Sequence, residues 1–167
     1  MNVRPLPQKA LACAIRPFRQ DDAKAFATLN AAWIEELFVM EASDRRILGD
    51  PQSVVLESGG AILVAESAGK VVGCCALLPA GTGTLEVAKM AVERELRGRG
   101  VGKLLLAGVL EQARKMGARE VVLKTSRRLT AARHLYDSFG FVEVEESHSP
   151  LHRNLRADMF LRLCLTK

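Results

Sequence analysis

Three glycines at alternating positions, Gly98-x-Gly100-x-Gly102, are interleaved with Arg97, Arg99 and Lys103. Glycine lets a backbone come close to a ligand and take positive φ where a turn needs it. A strand-like run, Thr84 to Val92, precedes this loop, and an apolar helical pattern follows it. The first turn of such a helix carries unpaired N–H groups and the positive end of the helix dipole, so loop and helix together suit a phosphate or pyrophosphate. Two well-known phosphate loops are excluded. There is no G-x-x-x-x-G-K-[ST]. The glycine spacing also lacks the G-x-G-x-x-G register and a ribose-binding acid about 20 residues later.

The distribution of charge supports an anion site at this place. The chain of 167 residues has a net charge of +5. Residues 94–133 hold eleven basic side chains against three acidic ones, whereas residues 20–57 hold eight carboxylates against Lys24, Arg45 and Arg46. A basic segment and an acidic pole in one chain suggest one site for an anion and another for a cation. The basic segment has almost no interleaved aromatics, which argues against single-stranded nucleic acid as a partner. No apolar run approaches the roughly 18–20 residues that span a bilayer. The first nine residues lack the apolar core of a secretion signal, so a soluble, cytoplasmic protein without a membrane partner is expected. Cys13, Cys74, Cys75 and Cys164 match no zinc spacing, no metal is expected, and the four are expected as reduced, buried thiols.

The elements that must position the loop follow from periodicity. Ala12 to Arg16 reads as a strand. A helix then opens at Asp21-Asp22, with Phe26, Leu29, Trp33 and Leu37 as its apolar stripe. Asp50-Pro51 is an N-cap and N1 pair that predicts a second short helix, ended by Ser58-Gly59-Gly60. Ala61 to Ser67 and Lys70 to Leu78 form a hairpin about Ala68-Gly69, and Thr84 to Val92 is a third long strand. Val101, Leu104, Leu105, Val109 and Met116 predict the buried stripe of the helix after the loop, with Gly117 as its cap. Val121 to Lys124, Thr130 to Ser138 and Phe141 to Glu145 read as strand, helix and strand. In the last strand Met159, Leu161, Leu163 and Leu165 alternate with Arg162 and Cys164. The order β-α-α-β-β-β-α-β-α-β-β describes a mixed, mainly antiparallel α/β sheet with helices on its faces. One domain over 1–167 is expected, with 1–11 flexible.

Arg97-x-x-Gly100-x-Gly102 between a strand and an apolar helix resembles the acetyl-CoA loop of the GNAT N-acetyltransferase superfamily, written [QR]-x-x-G-x-[GA]. The run Ala132-Arg133-His134-Leu135-Tyr136-Asp137-Ser138-Phe139-Gly140-Phe141 resembles the A-x-x-L-Y-x-x-x-G-F segment of that superfamily, and Leu85 to Val92 resembles its fourth strand. The resemblance runs from Ile15 to Leu165. It implies acetyl-CoA as co-substrate and an amine as acceptor, attacked directly in a ternary complex. It implies main-chain contacts from Met90, Ala91 and Val92 to the pantetheine and the thioester carbonyl, where a fixed N–H stabilises developing negative charge. It implies a pyrophosphate held by the backbone of Arg97, Gly98, Arg99, Gly100, Val101 and Gly102, with Lys103, Thr130 and Arg133 adding to the grip.

The resemblance also implies two proton-handling side chains. Tyr136, the single tyrosine of the chain, would protonate the departing thiolate, and Glu86 would act as general base on the acceptor ammonium. By strand alternation Lys89 points to the face opposite Glu86, unless a bulge intervenes. The position where many members carry an asparagine is Leu129, so that contact is either lost or made by Thr130 or Ser126. His134, His148 and His152 read as surface residues. Trp33, Glu35, Glu36, Glu41 and Asp44 are the acceptor-side candidates, favouring a small cationic amine. A homodimer is a candidate assembly. The competing reading is a non-catalytic acyl-CoA-binding module, with a basic nucleic-acid binder behind it.

Overall fold

The computed structural model describes residues 11–166. The flexibility expected for the N-terminus falls, apart from Leu11, outside the described residues. Seven strands form one sheet in the order β1-β2-β3-β4-β5-β7-β6. They are β1 (Ala14–Pro17), β2 (Ala61–Ser67), β3 (Lys70–Gly81), β4 (Thr84–Val92), β5 (Glu120–Thr125), β6 (Val142–Val144) and β7 (Met159–Cys164). Neighbours are antiparallel except β4 and β5. That pair is parallel because α3 (Val101–Lys115) carries the chain from one strand to the other, the crossover a parallel pair requires. Helices α1 (Ala23–Leu37) and α2 (Ala42–Gly49) complete one side of the sheet, and α4 (Thr130–Ser138) joins α3 on the other. The expected mixed, mainly antiparallel α/β order is borne out.

Two apolar layers hold the helices to the sheet. On one face Leu106, Val109, Leu110 and Ala113 of α3 and Tyr136 of α4 pack on Leu77, Leu85, Val87, Val121, Leu123 and Leu161. On the other, Phe26 of α1 and Ile47 and Leu48 of α2 pack on Ile62, Val64, Cys74, Ala76 and Ala91. Leu105 and Leu106 are fully buried, each contributing about 1.5–3 kcal/mol by removal from water. Cys74 and Cys75 are buried in opposite layers, as neighbours on a strand must be. Burial pushes the Cys74 thiol up to about 12.

Several sequence expectations are corrected. The face of α1 that is sealed is Phe26, Asn30 and Ile34, while Leu29 and Trp33 are partly covered and Leu37 is exposed. Asn30 is tolerated there because its amide donates to the Phe26 carbonyl at 3.0 Å and the Cys74 sulfur at 3.3 Å. On α3 the rows Val101–Leu105–Val109 and Leu106–Leu110–Ala113 fill the interface, and Leu104 and Met116 are exposed. The second helix is α2, which starts at Ala42. The Asp50-Pro51 signal instead opens a single wide turn, Gln52–Leu56, with Asp50 accepting from the Ser53 N–H at 3.1 Å. Cys164 is exposed and Cys13 half-buried, so not all four thiols are buried. Among the described residues no helix is long and apolar enough to cross a membrane.

Candidate active site

β4 and β5 pair over only three positions, Thr84↔Glu120, Leu85↔Val121 and Glu86↔Val122. Beyond Glu86, β4 runs on to Val92 with no partner on its β5 side, so the two strands part and leave a wedge. A bulge assists the opening. In the β3–β4 ladder Cys74 faces Ala91 whereas Ala76 faces Ala88, so β4 carries one extra residue, and Lys89 takes φ +51. The open edge holds Met90, Ala91 and Val92, the three positions expected to offer main-chain groups. Met90 packs toward α3, Ala91 is buried against α1, and Val92 is half-buried.

At the end of that edge lies the glycine loop. Gly100 has φ +87 and is the N-cap of α3, with no side-chain cap on the helix. Arg99 N–H bonds the Leu96 carbonyl at 3.3 Å, and Leu104 N–H bonds the Gly100 carbonyl at 3.1 Å. Among the described residues no backbone carbonyl receives the N–H groups of Gly98, Gly100, Val101, Gly102 or Lys103. Gly102 meets a different demand. A Cβ there would stand 3.3 Å from Met90 Cε and 3.5 Å from Leu135 Cδ2, so glycine lets α3 close on β4 and α4. Arg97, Gly98, Arg99, Gly100 and Lys103 are exposed and Val101 is buried beneath them. Arg97 Nε donates to the Val92 carbonyl at 3.4 Å, tying the loop to the strand end. Unpaired N–H groups, an uncapped helix and clustered cations fit a pyrophosphate-bearing coenzyme.

α4 contributes a second uncapped helix start, with Leu129 at the N-cap and Thr130 exposed after it. Arg133 lies one turn in, its Nε buried without a partner while one terminal nitrogen reaches the Arg127 carbonyl at 3.4 Å. Ser126 is buried, and its hydroxyl accepts from the Arg128 N–H at 3.2 Å. Tyr136 is buried in the α3–α4 layer, edge-on to Phe141 at 5.7 Å. Burial, together with the neighbouring Cys75 thiol, pushes its phenol well above the ordinary range, so it keeps its proton at neutral pH.

Glu86 alternates away from Leu85 and Val87, which belong to the α3–α4 layer, and therefore stands on the opposite face from Tyr136. It has no hydrogen-bond or ion-pair partner among the described residues. Burial pushes its carboxyl up, and Lys124 and Lys89 partly oppose the rise. The alternation reading for Lys89 is corrected by the bulge: Lys89 turns to the Glu86 face, where its ammonium pairs with Asp44 of α2 at 2.6 Å. Asp44 has no exposed side-chain surface and also receives both terminal nitrogens of Arg156, at 2.8 and 2.6 Å, and the Glu41 N–H at 2.9 Å. Its burial alone would raise its pKa. The hydrogen bonds from Arg156, Lys89 and the Glu41 backbone outweigh that and hold the carboxyl well below the usual range. Arg156 lies 5.7 Å over the Trp33 ring and reaches Glu41 at 3.2 Å, so the loop before β7 is fastened over α1 and α2. Sequence reading marks Asp44 and Trp33 as acceptor-side candidates but assigns no role to Arg156 or Lys124. A bulge-borne lysine and an arginine 112 residues from its partner leave no local signal.

These pairings narrow the acidic pole. Asp22 is taken by Arg16 at 2.8 Å, and Glu41 and Asp44 by Arg156 and Lys89. Glu35 and Glu36 line an open cleft of about 560 Å³ between α1 and the end of β4, with Leu29, Val92, Arg94 and Arg97, and Glu36 pairs with Arg94 at 3.8 Å. His134, His148 and His152 are exposed, as expected.

Residues 27–141 match the acetyltransferase (GNAT) family. The chain belongs to that family. Human N-acetyltransferase 8B is 40% identical over 101 residues, which are 58% of this chain and 44% of that protein. The chain thus spans less than half the length of the curated mammalian relatives it matches first. An uncharacterized N-acetyltransferase of Schizosaccharomyces pombe is 30% identical over 151 residues, 87% of this chain and 90% of that one. Among solved structures, a GNAT acetyltransferase of Staphylococcus aureus superposes with TM-score 0.85 at 19% identity, covering 93% of this chain and 100% of the other. A putative acetyltransferase of Salmonella typhimurium, solved with its cofactor acetyl-CoA, gives TM-score 0.74 at 21% identity, covering 93% and 95%. At such identities the likeness is one of fold. The GNAT resemblance carried by the glycine loop and the Tyr136 segment is therefore borne out at the level of family and architecture.

Proposed function

We propose that this GNAT domain transfers an acetyl group from acetyl-CoA to the amine of a small acceptor by direct attack within a ternary complex. The observation that carries the reading is the wedge: β4 leaves β5 at Glu86, and its free edge leads to the open N–H groups of the glycine loop. When bound, acetyl-CoA supplies an acetyl group activated as a thioester. The N–H groups of Gly98, Gly100, Val101, Gly102 and Lys103 and the cations of Arg97 and Lys103 suit its pyrophosphate, with Thr130 and Arg133 as the partners on α4. The free edge from Met90 to Val92 offers main-chain groups to the pantetheine arm.

Proton handling is divided between the faces of the sheet. Glu86 receives the proton that an ammonium must lose before its nitrogen can attack, and a carboxyl raised by burial is closer to the pH at which such a base works best. Tyr136 Oη holds the proton needed on the leaving side, and its upward shift keeps it loaded. Glu35, Glu36, Glu93 and Glu95 outnumber Arg94 and Arg97 in the cleft lining, which favours a cationic acceptor.

Release of free thiol from acetyl-CoA across a panel of primary amines tests this reading. At least one amine is expected to give turnover, and Glu86→Gln is expected to abolish most of it while binding acetyl-CoA with unchanged affinity by calorimetry. Coenzyme binding without thiol release from any amine would support the non-catalytic module instead.

A further inference from the structure

Lys124 has no carboxylate partner among the described residues, although it sits on the face of the sheet that carries Glu86. The placement follows from register. Glu86 pairs with Val122, and Lys124 is two residues further along β5, so its side chain emerges on the same face as Val122. That face holds Val122, Phe160 and Leu151 as an apolar floor, while Val121 and Leu123 belong to the opposite layer. The strands separate beyond Glu86, so Lys124 stands across the gap on the far lip of the wedge. Its ammonium is anchored by donating to the His152 carbonyl at 2.9 Å.

The other charged groups about Glu86 are already engaged. Lys89 on β4 is paired with Asp44 of α2 at 2.6 Å, and Arg156 from the loop before β7 closes on the same carboxylate. Arg162 of β7, opposite Val122, pairs with Glu120 at 3.2 Å. From β3 the register neighbour is Leu78, which is apolar. Arg128, after β5, reaches instead to the Leu37 carbonyl and the Phe38 ring at the end of α1. Among the described strand residues on this face, Lys124 is therefore the cation whose charge is not consumed by a carboxylate, and it weighs more on Glu86 than Lys89 does.

We propose that Lys124 is a positioning residue, which keeps the Glu86 carboxylate ionised at the lip of the wedge while the His152 carbonyl holds its ammonium in place. The proposal rests on the reading of Glu86 as general base. A half-buried carboxylate with no hydrogen-bond donor would otherwise hold its proton to higher pH and accept one from the amine less readily.

The test compares Lys124→Met, Lys124→Gln and Lys124→Arg with the unaltered chain in two ways. The first is the pH profile of kcat/KM for thiol release. The neutral variants are expected to move the acid limb to higher pH, so that activity at pH 6 relative to pH 8 falls about fivefold further, and Lys124→Arg restores the original limb. The second is titration of the Glu86 carboxyl in the coenzyme-free protein by carbon NMR, assigned by its loss in Glu86→Gln. Its midpoint is expected to rise in both neutral variants. A loss of activity by one factor at every pH, or an unmoved carboxyl midpoint, would reduce Lys124 to a tether for the loop and overturn the proposal. If Glu86→Gln keeps the acid limb, the base assignment fails, and the carboxyl titration still decides whether Lys124 acts on Glu86.

Discussion

On the α3–α4 side of β4, Leu85, Val87 and Met90 join an apolar layer with Leu106, Val109 and Tyr136, and the polar work is done by backbone at the glycine loop. On the α1–α2 side the same strand presents Glu86 and Lys89 to Asp44, Arg156 and Lys124. The polar groups of the first side come from one contiguous segment, the glycine loop and the start of α3. The second gathers charges from α2, the β4 bulge, β5 and the loop before β7. The glycine loop proposed to meet the coenzyme is a local motif, whereas the charged face proposed to meet the acceptor is assembled from distant residues.

The largest expected effect breaks the charged face. Asp44→Asn leaves Lys89 and Arg156 buried with half their compensation, and we expect a loss of about 3–5 kcal/mol in chemical unfolding at pH 7. The sign with pH follows from the lowered carboxyl. The stabilisation is fully present above the unfolded value of about 3.9 and is lost as pH falls through the lower folded value, so the gap to the variant should narrow in acid. An equivalent change on the apolar face would show no such pH dependence.

Next come the two side chains proposed to carry protons. Glu86→Gln is expected to lower kcat by roughly 1,000-fold and Tyr136→Phe by roughly 100-fold, with acetyl-CoA affinity nearly unchanged in both. Equal losses of affinity and rate would mean that the division between faces is wrong. The smallest effect sharpens the comparison from the coenzyme side. Gly100→Ala places a Cβ at φ +87, costing about 1 kcal/mol. Calorimetry should find weaker acetyl-CoA binding, with the acid limb of the pH profile left where it was.

Much of this division was legible in the sequence. The bounds of β4 and α4 and the turn of the β2–β3 hairpin follow from periodicity and turn residues, although β3 runs past the expected Leu78 to Gly81, and the glycine loop announces itself by spacing. The hairpin turn even takes positive φ at both Ala68 and Gly69. The start of α2 was hidden because its cap is a pair of carboxylates, Glu41 and Asp44, rather than a serine or threonine, while Asp50-Pro51 gave a stronger signal for what is only one turn. Simple alternation puts Lys89 on the opposite face, and the bulge allowed for there reverses it; where the bulge falls, and a lysine at positive φ, are not written in any local pattern. Asp44 was visible as a charge, but its pairing with Lys89 and Arg156 depends on tertiary placement.

The most direct test of the account is the pH dependence of kcat/KM for thiol release with the best amine of the panel, measured for the unaltered chain beside Glu86→Gln. The account predicts an acid limb above the ordinary glutamate range in the former, and a low rate without that limb in the variant. A variant that turns over at the original rate, with the acid limb intact, would contradict it.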